Sequence, residues 1–179
     1  MRFASMRNLD ISNGDGVGVS LFVQGCDRHC FNCFNSDTWD FNGGKEWTEE
    51  TKNKFIKLID RPYINRISVL GGEPLAEQNL DEVLSLIKEI RISFPEKTIW
   101  LYTGYKFEDL INGIHYPLDS EWEDKVLRQS IVKLCDVLVD GEYIDEQRDI
   151  TLKWRGSSNQ RVIDAKQSLA QNKIVLYCD

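Results

Sequence analysis

The sequence has no hydrophobic run long enough for a membrane span, since none approaches the roughly 18 apolar residues that such a helix needs. Residues 1–7 are also interrupted by charged and polar side chains before any signal-like apolar stretch develops. We therefore expect a cytoplasmic protein that does not associate with a membrane.

Blocks of lysine and arginine are absent as well. The 179-residue chain carries 22 basic and 29 acidic side chains, which gives a formal net charge of -7. Such a chain is a poor electrostatic match for phosphates, so we expect no direct binding to nucleic acid. Its 41% hydrophobic and 28% charged residues are typical of a soluble protein with a core, and its length suits one domain over residues 1–179.

Histidine is scarce, with two residues, and no convincing Ser/His or His/Asp arrangement indicates a catalytic side chain. Five cysteines are present, and their odd number excludes complete disulfide pairing. In a reducing cytoplasm, clustered cysteines more often bind metal or take part in catalysis. We expect Cys135 to be a buried small hydrophobic residue and Cys178 to be a free thiol without a function.

Helical patterns recur along the chain. Apolar spacing predicts one helix within residues 46–59, with Thr48 as its N-cap, and a second over residues 80–90. A capping box formed by Ser120 and Glu123 predicts the start of a third helix, which continues to residue 134.

Short β-like runs alternate with these helices, which indicates parallel βαβ units. The predicted strands are residues 17–23, 67–70, 98–102, 137–139 and 174–177. A closed eight-stranded barrel needs about 250 residues. We therefore predict an α/β fold with a partial, open barrel and a mostly parallel, curved sheet.

Polar or glycine-rich segments follow the first four predicted strands. They are the cysteine cluster, then GGEP at residues 71–74, TGY at 103–105 and DGEY at 140–143. Ligands of such sheets bind at the carboxyl ends of the strands. We therefore expect these four segments to lie together around one site.

Cys26, Cys30 and Cys33 form a C-x3-C-x2-C motif. Three thiolates this close in sequence can reach one metal centre from a single loop. A cubane iron–sulfur cluster usually has four thiolate ligands, so three would leave one iron open to an external ligand. A structural zinc site instead needs a fourth protein ligand, and the nearby His29 directly adjoins Cys30. A zinc-binding interaction module remains an alternative.

This motif, on a loop after the first predicted strand, resembles that of the radical S-adenosylmethionine (SAM) enzymes. Three further segments are similar to the glycyl-radical-enzyme activating proteins, above all those that act on anaerobic ribonucleotide reductases. They are ISNGDG at residues 11–16, CFNSDTWD at 33–40 and RGSSNQR at 155–161. The resemblance implies a [4Fe–4S] cluster bound by Cys26, Cys30 and Cys33, with SAM on the fourth iron.

The residues around the third cysteine are implied to contact SAM. Most members of the superfamily place an aromatic residue immediately before this cysteine, close to the adenine. Asn32 occupies that position here, while Phe31 and Phe34 lie on either side. The resemblance therefore implies a SAM contact by Asn32, Cys33 and Phe34, with the adenine contact left open among them.

The GGEP segment is the second implied SAM contact. Glycines allow close approach of a ligand to the backbone, and GGE-type motifs in the family bind the SAM amino group. This role is carried over to Gly71, Gly72 and Glu73. A simple turn between a strand and a helix is the alternative interpretation.

The resemblance also implies the reaction. A reductant such as flavodoxin supplies one electron to the cluster, and SAM cleavage yields a 5′-deoxyadenosyl radical. That radical takes a hydrogen atom from a glycine on the large subunit of an anaerobic ribonucleotide reductase. No catalytic side chain is expected, because the cofactors carry the radical. A radical SAM enzyme acting on a small molecule, of the 7-carboxy-7-deazaguanine synthase type, is the alternative enzyme.

Overall fold

The computed structural model describes residues 1–112 and 121–178 of the chain. Its strands are β1 (Arg2–Asp10), β2 (Gly18–Val23), β3 (Lys45–Glu46), β4 (Arg66–Gly71), β5 (Thr98–Tyr102), β6 (Val137–Asp140), β7 (Arg161–Asp164) and β8 (Leu176–Cys178). Its helices are α1 (Glu49–Ile59), α2 (Leu80–Ser93), α3 (Phe107–Asn112), α4 (Trp122–Leu134) and α5 (Ala165–Gln171).

All eight strands form one open sheet in the order β3-β1-β2-β4-β5-β6-β7-β8. The central strands β2, β4, β5 and β6 pair in parallel, whereas the remaining pairings are antiparallel. The fold is therefore mixed α/β with an open sheet. Parallel pairing is confined to its centre, and so is less extensive than the sequence predicted.

The two faces of the sheet have different partners because side chains alternate along a strand. Leu21, Val69, Leu101 and Leu138 face the helices and belong to the main hydrophobic core. Their neighbours in sequence lie on the opposite face and are available to line a site there. Among the described residues, no helix is long and apolar enough to cross a membrane.

Several local predictions are confirmed. The Thr48 side chain accepts a hydrogen bond from the Thr51 backbone N–H at the start of α1. Helix α2 buries the predicted stripe, which consists of Leu80, Val83, Leu84, Ile87 and Ile90. The predicted capping box lies partly outside the described residues, because Ser120 is not among them; α4 itself begins at Trp122.

Sequence reasoning missed the outer part of the sheet. β1 pairs antiparallel with β2, so the NGDG segment at residues 13–16 joins two strands as a hairpin connection. β7 and α5 were also missed, and the last strand is Leu176–Cys178 rather than residues 174–177. These additions flank the parallel centre and leave the order of its loops unchanged.

Candidate cofactor site

The carboxyl ends of the four parallel strands open into one cavity of about 530 Å³. Its wall includes one side chain from each strand, namely Phe22, Leu70, Tyr102 and Val139. The cysteine, GGEP, TGY and DGEY segments all contribute lining residues. The expectation that these four segments surround one site is thus confirmed.

Cys26, Cys30 and Cys33 line this cavity, and each is half-buried and unpaired. The backbone N–H of Asn35 donates a hydrogen bond to the Cys33 Sγ at 3.4 Å. Such N–H···S bonds are among the contacts by which proteins tune iron–sulfur clusters. Burial raises the pKa of the Cys26 thiol to about 11, and the charge of Glu73 adds to this shift. Metal binding must therefore displace a proton from Cys26.

A single metal ion would place a different demand on these side chains. Among residues 1–112 and 121–178, no three His, Cys, Asp or Glu side chains are arranged to share one ion. The exposed His29 packs its ring against Trp39, with 4.7 Å between the ring centroids. In a cubane cluster each thiolate binds a separate iron atom. Three thiols around one cavity therefore fit a cluster better than they fit zinc.

The loop that carries the cysteines forms side-chain hydrogen bonds with residues 142–145, which follow β6. Arg28 donates to the Glu142 carboxylate at 2.7 Å, and the Asn32 amide donates to the Asp145 carboxylate at 2.9 Å. The Arg28 guanidinium also lies over the Tyr105 ring, 3.9 Å from its centroid. The cysteine loop is thus held by segments that follow two different strands, β5 and β6.

The residues beside the third cysteine take different positions. Asn32 is absent from the cavity lining, and its backbone has a φ of 55°, in the left-handed region that asparagine tolerates. Its side chain bonds Asp145, as described above. Phe34 does line the cavity, and its ring lies 5.2 Å from that of Tyr143. Of the two side chains, only Phe34 is positioned in the cavity wall.

The glycines of the GGEP turn also line the cavity. Gly71 has a φ of 110°, which side chains rarely allow. A Cβ at Gly72 would lie 2.3 Å from the backbone oxygen of Gly25, immediately before the first cysteine. The Glu73 N–H donates to the same oxygen at 2.8 Å. Both glycines therefore allow the turn to pack directly against the cysteine loop.

Glu73 is buried, with 1% of its surface exposed. Its carboxylate accepts hydrogen bonds from the Leu75 N–H at 2.9 Å, the Thr103 hydroxyl at 2.8 Å and the Gly104 N–H at 2.8 Å. Burial raises the pKa of this carboxyl group, although these hydrogen bonds act in the opposite direction. Glu73 therefore joins the GGEP turn to the TGY segment.

Residues 150–155 contribute to the cavity wall, which their sequence did not indicate. Trp154 and Arg155 line the cavity, as do Ile150 and Leu152, which precede them in the chain. Trp154 adopts a φ of 59° and packs its ring 5.0 Å from that of Trp100. The contact between Trp100 and Trp154 joins residues 54 positions apart in the chain. The local sequence therefore could not distinguish this segment from a solvated turn.

The other two cysteines are outside the cavity lining. Cys135 is fully buried, and its thiol contacts the Ile131 carbonyl at 3.2 Å, as expected for a small core residue. Cys178 is half-buried, pairs with Val162 in the sheet and packs against the cluster that contains Trp100. Both thiols are free.

Residues 12–163 match the family model described as a 4Fe-4S single cluster domain. The anaerobic ribonucleoside-triphosphate reductase-activating protein of Salmonella typhimurium is 38% identical over 164 residues, covering 90% of this chain and 97% of that protein. The protein of the same name from Escherichia coli K12 is 37% identical with the same coverage. That of Enterobacteria phage T4 is 35% identical, covering 90% of this chain and 93% of its own.

These matches confirm the resemblance indicated by the motifs, and they extend over the strands that carry the cysteine loop and the GGEP turn. A chain that shares so much of its length with these relatives, and that lines one cavity with three cysteines, belongs to the family of anaerobic ribonucleoside-triphosphate reductase-activating proteins, with a 4Fe-4S single cluster domain.

Proposed function

We propose that this protein is a radical SAM activating enzyme that generates a glycyl radical on the large subunit of an anaerobic ribonucleotide reductase. The observation that carries the proposal is the common cavity lined by the three cysteines and the GGEP turn. The names of the curated relatives support the identity of the partner.

In this proposal Cys26, Cys30 and Cys33 hold a [4Fe–4S] cluster, and the open iron takes SAM. When bound, these two groups supply the one-electron chemistry that removes a hydrogen atom from a glycine. The chain itself binds the cluster, orients SAM and excludes water. Its half-buried thiols and the Asn35 N–H at the Cys33 sulfur support the ligand assignment.

We assign the SAM site to Asn32, Cys33, Phe34, Gly71, Gly72 and Glu73, some as contacts and some as residues that shape it. The two glycines and Phe34 are supported by their position in the cavity wall. For Asn32, whose side chain bonds Asp145, any contribution is through the shape of the cysteine loop. Glu73 acts through the backbone that its carboxylate holds, and its part is to position the turn.

We also propose that the central strands and their helices form a partial radical SAM barrel, and that residues 1–179 form one domain. Parallel pairing of β2, β4, β5 and β6 supports the first point. An incomplete barrel leaves a side open, which suits a protein substrate. By family resemblance, we further propose a flavodoxin-type reductant and a cytoplasmic location.

The test is anaerobic reconstitution with iron and sulfide, followed by reduction and addition of SAM. We expect 5′-deoxyadenosine and methionine as products, and a glycyl doublet in the electron paramagnetic resonance spectrum once the reductase subunit is added. Cys30→Ala should lose both signals. Cys178→Ala is the matched control, because this thiol lies outside the cavity lining, and it should keep them.

The same experiment separates the alternatives. A pterin substrate is supplied in a parallel sample, and turnover with the pterin alone would contradict the activase proposal. A colourless protein that retains stoichiometric zinc after reconstitution would contradict the cluster itself. Full activity in Cys30→Ala would show that the ligand assignment is wrong.

A further inference from the structure

One buried side chain joins the cysteine loop to the GGEP turn. The Asn79 amide nitrogen donates a hydrogen bond to the Gln24 carbonyl at 3.1 Å and another to the Glu73 carbonyl at 3.0 Å. Gln24 lies two residues before Cys26, and Glu73 is the acidic residue of the GGEP turn. A single nitrogen atom therefore holds the backbone of one segment at a fixed position relative to the other.

The place of Asn79 in the chain would favour a different contact. It is the N-cap residue of α2, and asparagine at an N-cap usually accepts a hydrogen bond from a backbone N–H in the first helical turn. In the described part of the chain, the Asn79 side chain makes no such capping bond. Its amide contacts the two carbonyl groups instead. The side chain thus joins two loops and does not stabilise the helix that follows it.

A second buried amide extends this connection through the cysteine loop. The Gln24 side chain donates hydrogen bonds to the carbonyls of Asp37 and Asp40, at 3.2 and 2.8 Å, beyond the third cysteine. Only 2% of the Gln24 surface and 1% of the Asn79 surface are exposed. Because water has little access to these amides, it does not replace their hydrogen bonds when one of them is lost.

Backbone hydrogen bonds join the same two segments without Asn79. The Gly72 N–H donates to the Val23 carbonyl at 2.9 Å, and the Glu73 N–H donates to the Gly25 carbonyl at 2.8 Å. Removal of the Asn79 amide should therefore leave the turn beside the cysteine loop but less precisely fixed. A displacement of about 1 Å at a reactive site can lower a rate about a hundredfold. The expected effect of Asn79 is thus on the geometry of the site.

We propose that Asn79 is a positioning residue that sets the distance between the cluster on the cysteine loop and the SAM amino group at the GGEP turn. This inference rests on the proposed function, in which one segment holds the cluster and the other holds the amino group. Among the residues that the structure describes, Asn79 is outside the cavity lining. It therefore acts through the backbone of Gln24 and Glu73.

Asn79→Leu tests the proposal, because leucine is similar in size to asparagine but has no hydrogen-bond donor. Ser168→Ala is the matched control. The buried Ser168 hydroxyl also bonds two backbone groups, the carbonyl and the N–H of Val175, but it lies on α5 and outside the cavity lining. Each protein is reconstituted with iron and sulfide. Equilibrium binding of SAM is measured, together with the electron paramagnetic resonance spectrum of the reduced cluster with and without SAM.

We expect Asn79→Leu to bind SAM about tenfold more weakly than the wild-type protein, and SAM to change its cluster spectrum less. A SAM analogue without the amino group lacks the contact to the turn, so its affinity should be nearly equal in the two proteins. Ser168→Ala should match the wild-type protein in every measurement. Asn79→Ser keeps one donor in a smaller side chain and should have an intermediate SAM affinity. It also provides the same comparison if urea unfolding shows that Asn79→Leu does not fold.

Wild-type SAM affinity and a wild-type spectral change in Asn79→Leu would overturn the proposal. An equal loss of affinity for SAM and for the analogue would overturn it as well, because the residue would then support the fold of the site in general. If the wild-type protein formed no cluster or bound no SAM, the proposed function itself would be wrong.

Discussion

The floor of the cavity and its mouth are stabilised by different kinds of polar contact. At the floor, Asn13 lines the cavity and is held by an ion pair between Asp10 and Arg66, whose side chains are fully buried. At the mouth, the pair between Arg28 and Glu142 is exposed to solvent, with 22% and 51% of the two side chains accessible. Both sets of contacts join distant parts of the chain, but only one is shielded from water.

The free energy lost when a charged side chain loses its ion-pair partner depends on whether the pair is buried. A buried charge left alone has lost its hydration and gains nothing in return, whereas an exposed charge is solvated again. The floor should therefore be rigid and sensitive to substitution, while the mouth tolerates change. This division suits an enzyme that holds a cofactor on one side and admits a protein on the other.

The largest effect is expected at the floor. Asp10→Asn leaves the buried Arg66 without its counter-charge, although the Arg66 guanidinium still donates to backbone and hydroxyl oxygens. We expect a loss of about 4 kcal/mol in the free energy of unfolding at pH 7. Urea unfolding of the reduced, metal-free protein measures it. Glu142→Gln at the mouth is the control and should cost less than about 1 kcal/mol.

The same variant has a defined pH dependence. Burial alone would raise the pKa of Asp10, but hydrogen bonds from Asn13, Arg66 and Ser12 outweigh burial and lower the pKa from 3.8 to about 2. Because the folded value is the lower one, the stabilisation is complete above the unfolded value and is lost as the pH falls through the folded value. The difference between wild type and Asp10→Asn should narrow between about pH 4 and pH 2. A constant difference would contradict this account.

Glu73 should give the second-largest effect. Glu73→Ala removes the acceptor of the Leu75 N–H, the Thr103 hydroxyl and the Gly104 N–H, and leaves these donors in a buried site. We expect a loss of about 3 kcal/mol, because unsatisfied buried donors keep their desolvation cost. The exposed Glu77 provides the control, and Glu77→Ala should stay within about 0.5 kcal/mol of wild type. Equal losses in the two variants would refute the role given to the Glu73 carboxylate.

A smaller effect is expected at the mouth. Arg28→Ala removes both the ion pair with Glu142 and the stacking on Tyr105, and should cost about 1 kcal/mol. Arg28→Lys keeps the charge but not the planar stacking, so it should recover only part of this loss. The same urea titration measures both variants. A loss as large as that of Asp10→Asn would show that the mouth is as rigid as the floor.

Sequence reasoning succeeded where local patterns carry the information. The stripe of α2, the Thr48 cap and the order of the four loops all depend on residues close together in the chain. It missed β1 because a strand with Arg2, Arg7 and Asp10 has no clean alternation of apolar and polar side chains. It missed β7 because this short strand has only two apolar residues, which lie between Arg161 and Asp164.

The contacts of the mouth were out of reach for another reason. Arg28 and Glu142 are 114 positions apart, and neither belongs to a motif that names the other. Their pairing follows from the fold, since β2 and β6 end at the same edge of the sheet. The same applies to Ile150, whose exposure at the mouth depends on the closure of residues 148–157 by a bridge. The ligand assignment stays a prediction from motifs, whereas the residues that border the cavity follow from the tertiary structure.

An effect no larger than that of Arg28→Ala should come from Asn32, where the sequence departs from the aromatic residue common in the superfamily. Its φ of 55° lies in the left-handed region, which asparagine tolerates better than alanine does, so Asn32→Ala should cost about 1 kcal/mol in urea unfolding. Asn32→Gly loses the same exposed bond to Asp145 but relieves the backbone, and should stay within about 0.5 kcal/mol of wild type. If glycine cost as much as alanine, the bond to Asp145 would matter more than the backbone. The cysteine loop would then depend on its exposed contacts, and the contrast between floor and mouth would fail at this residue.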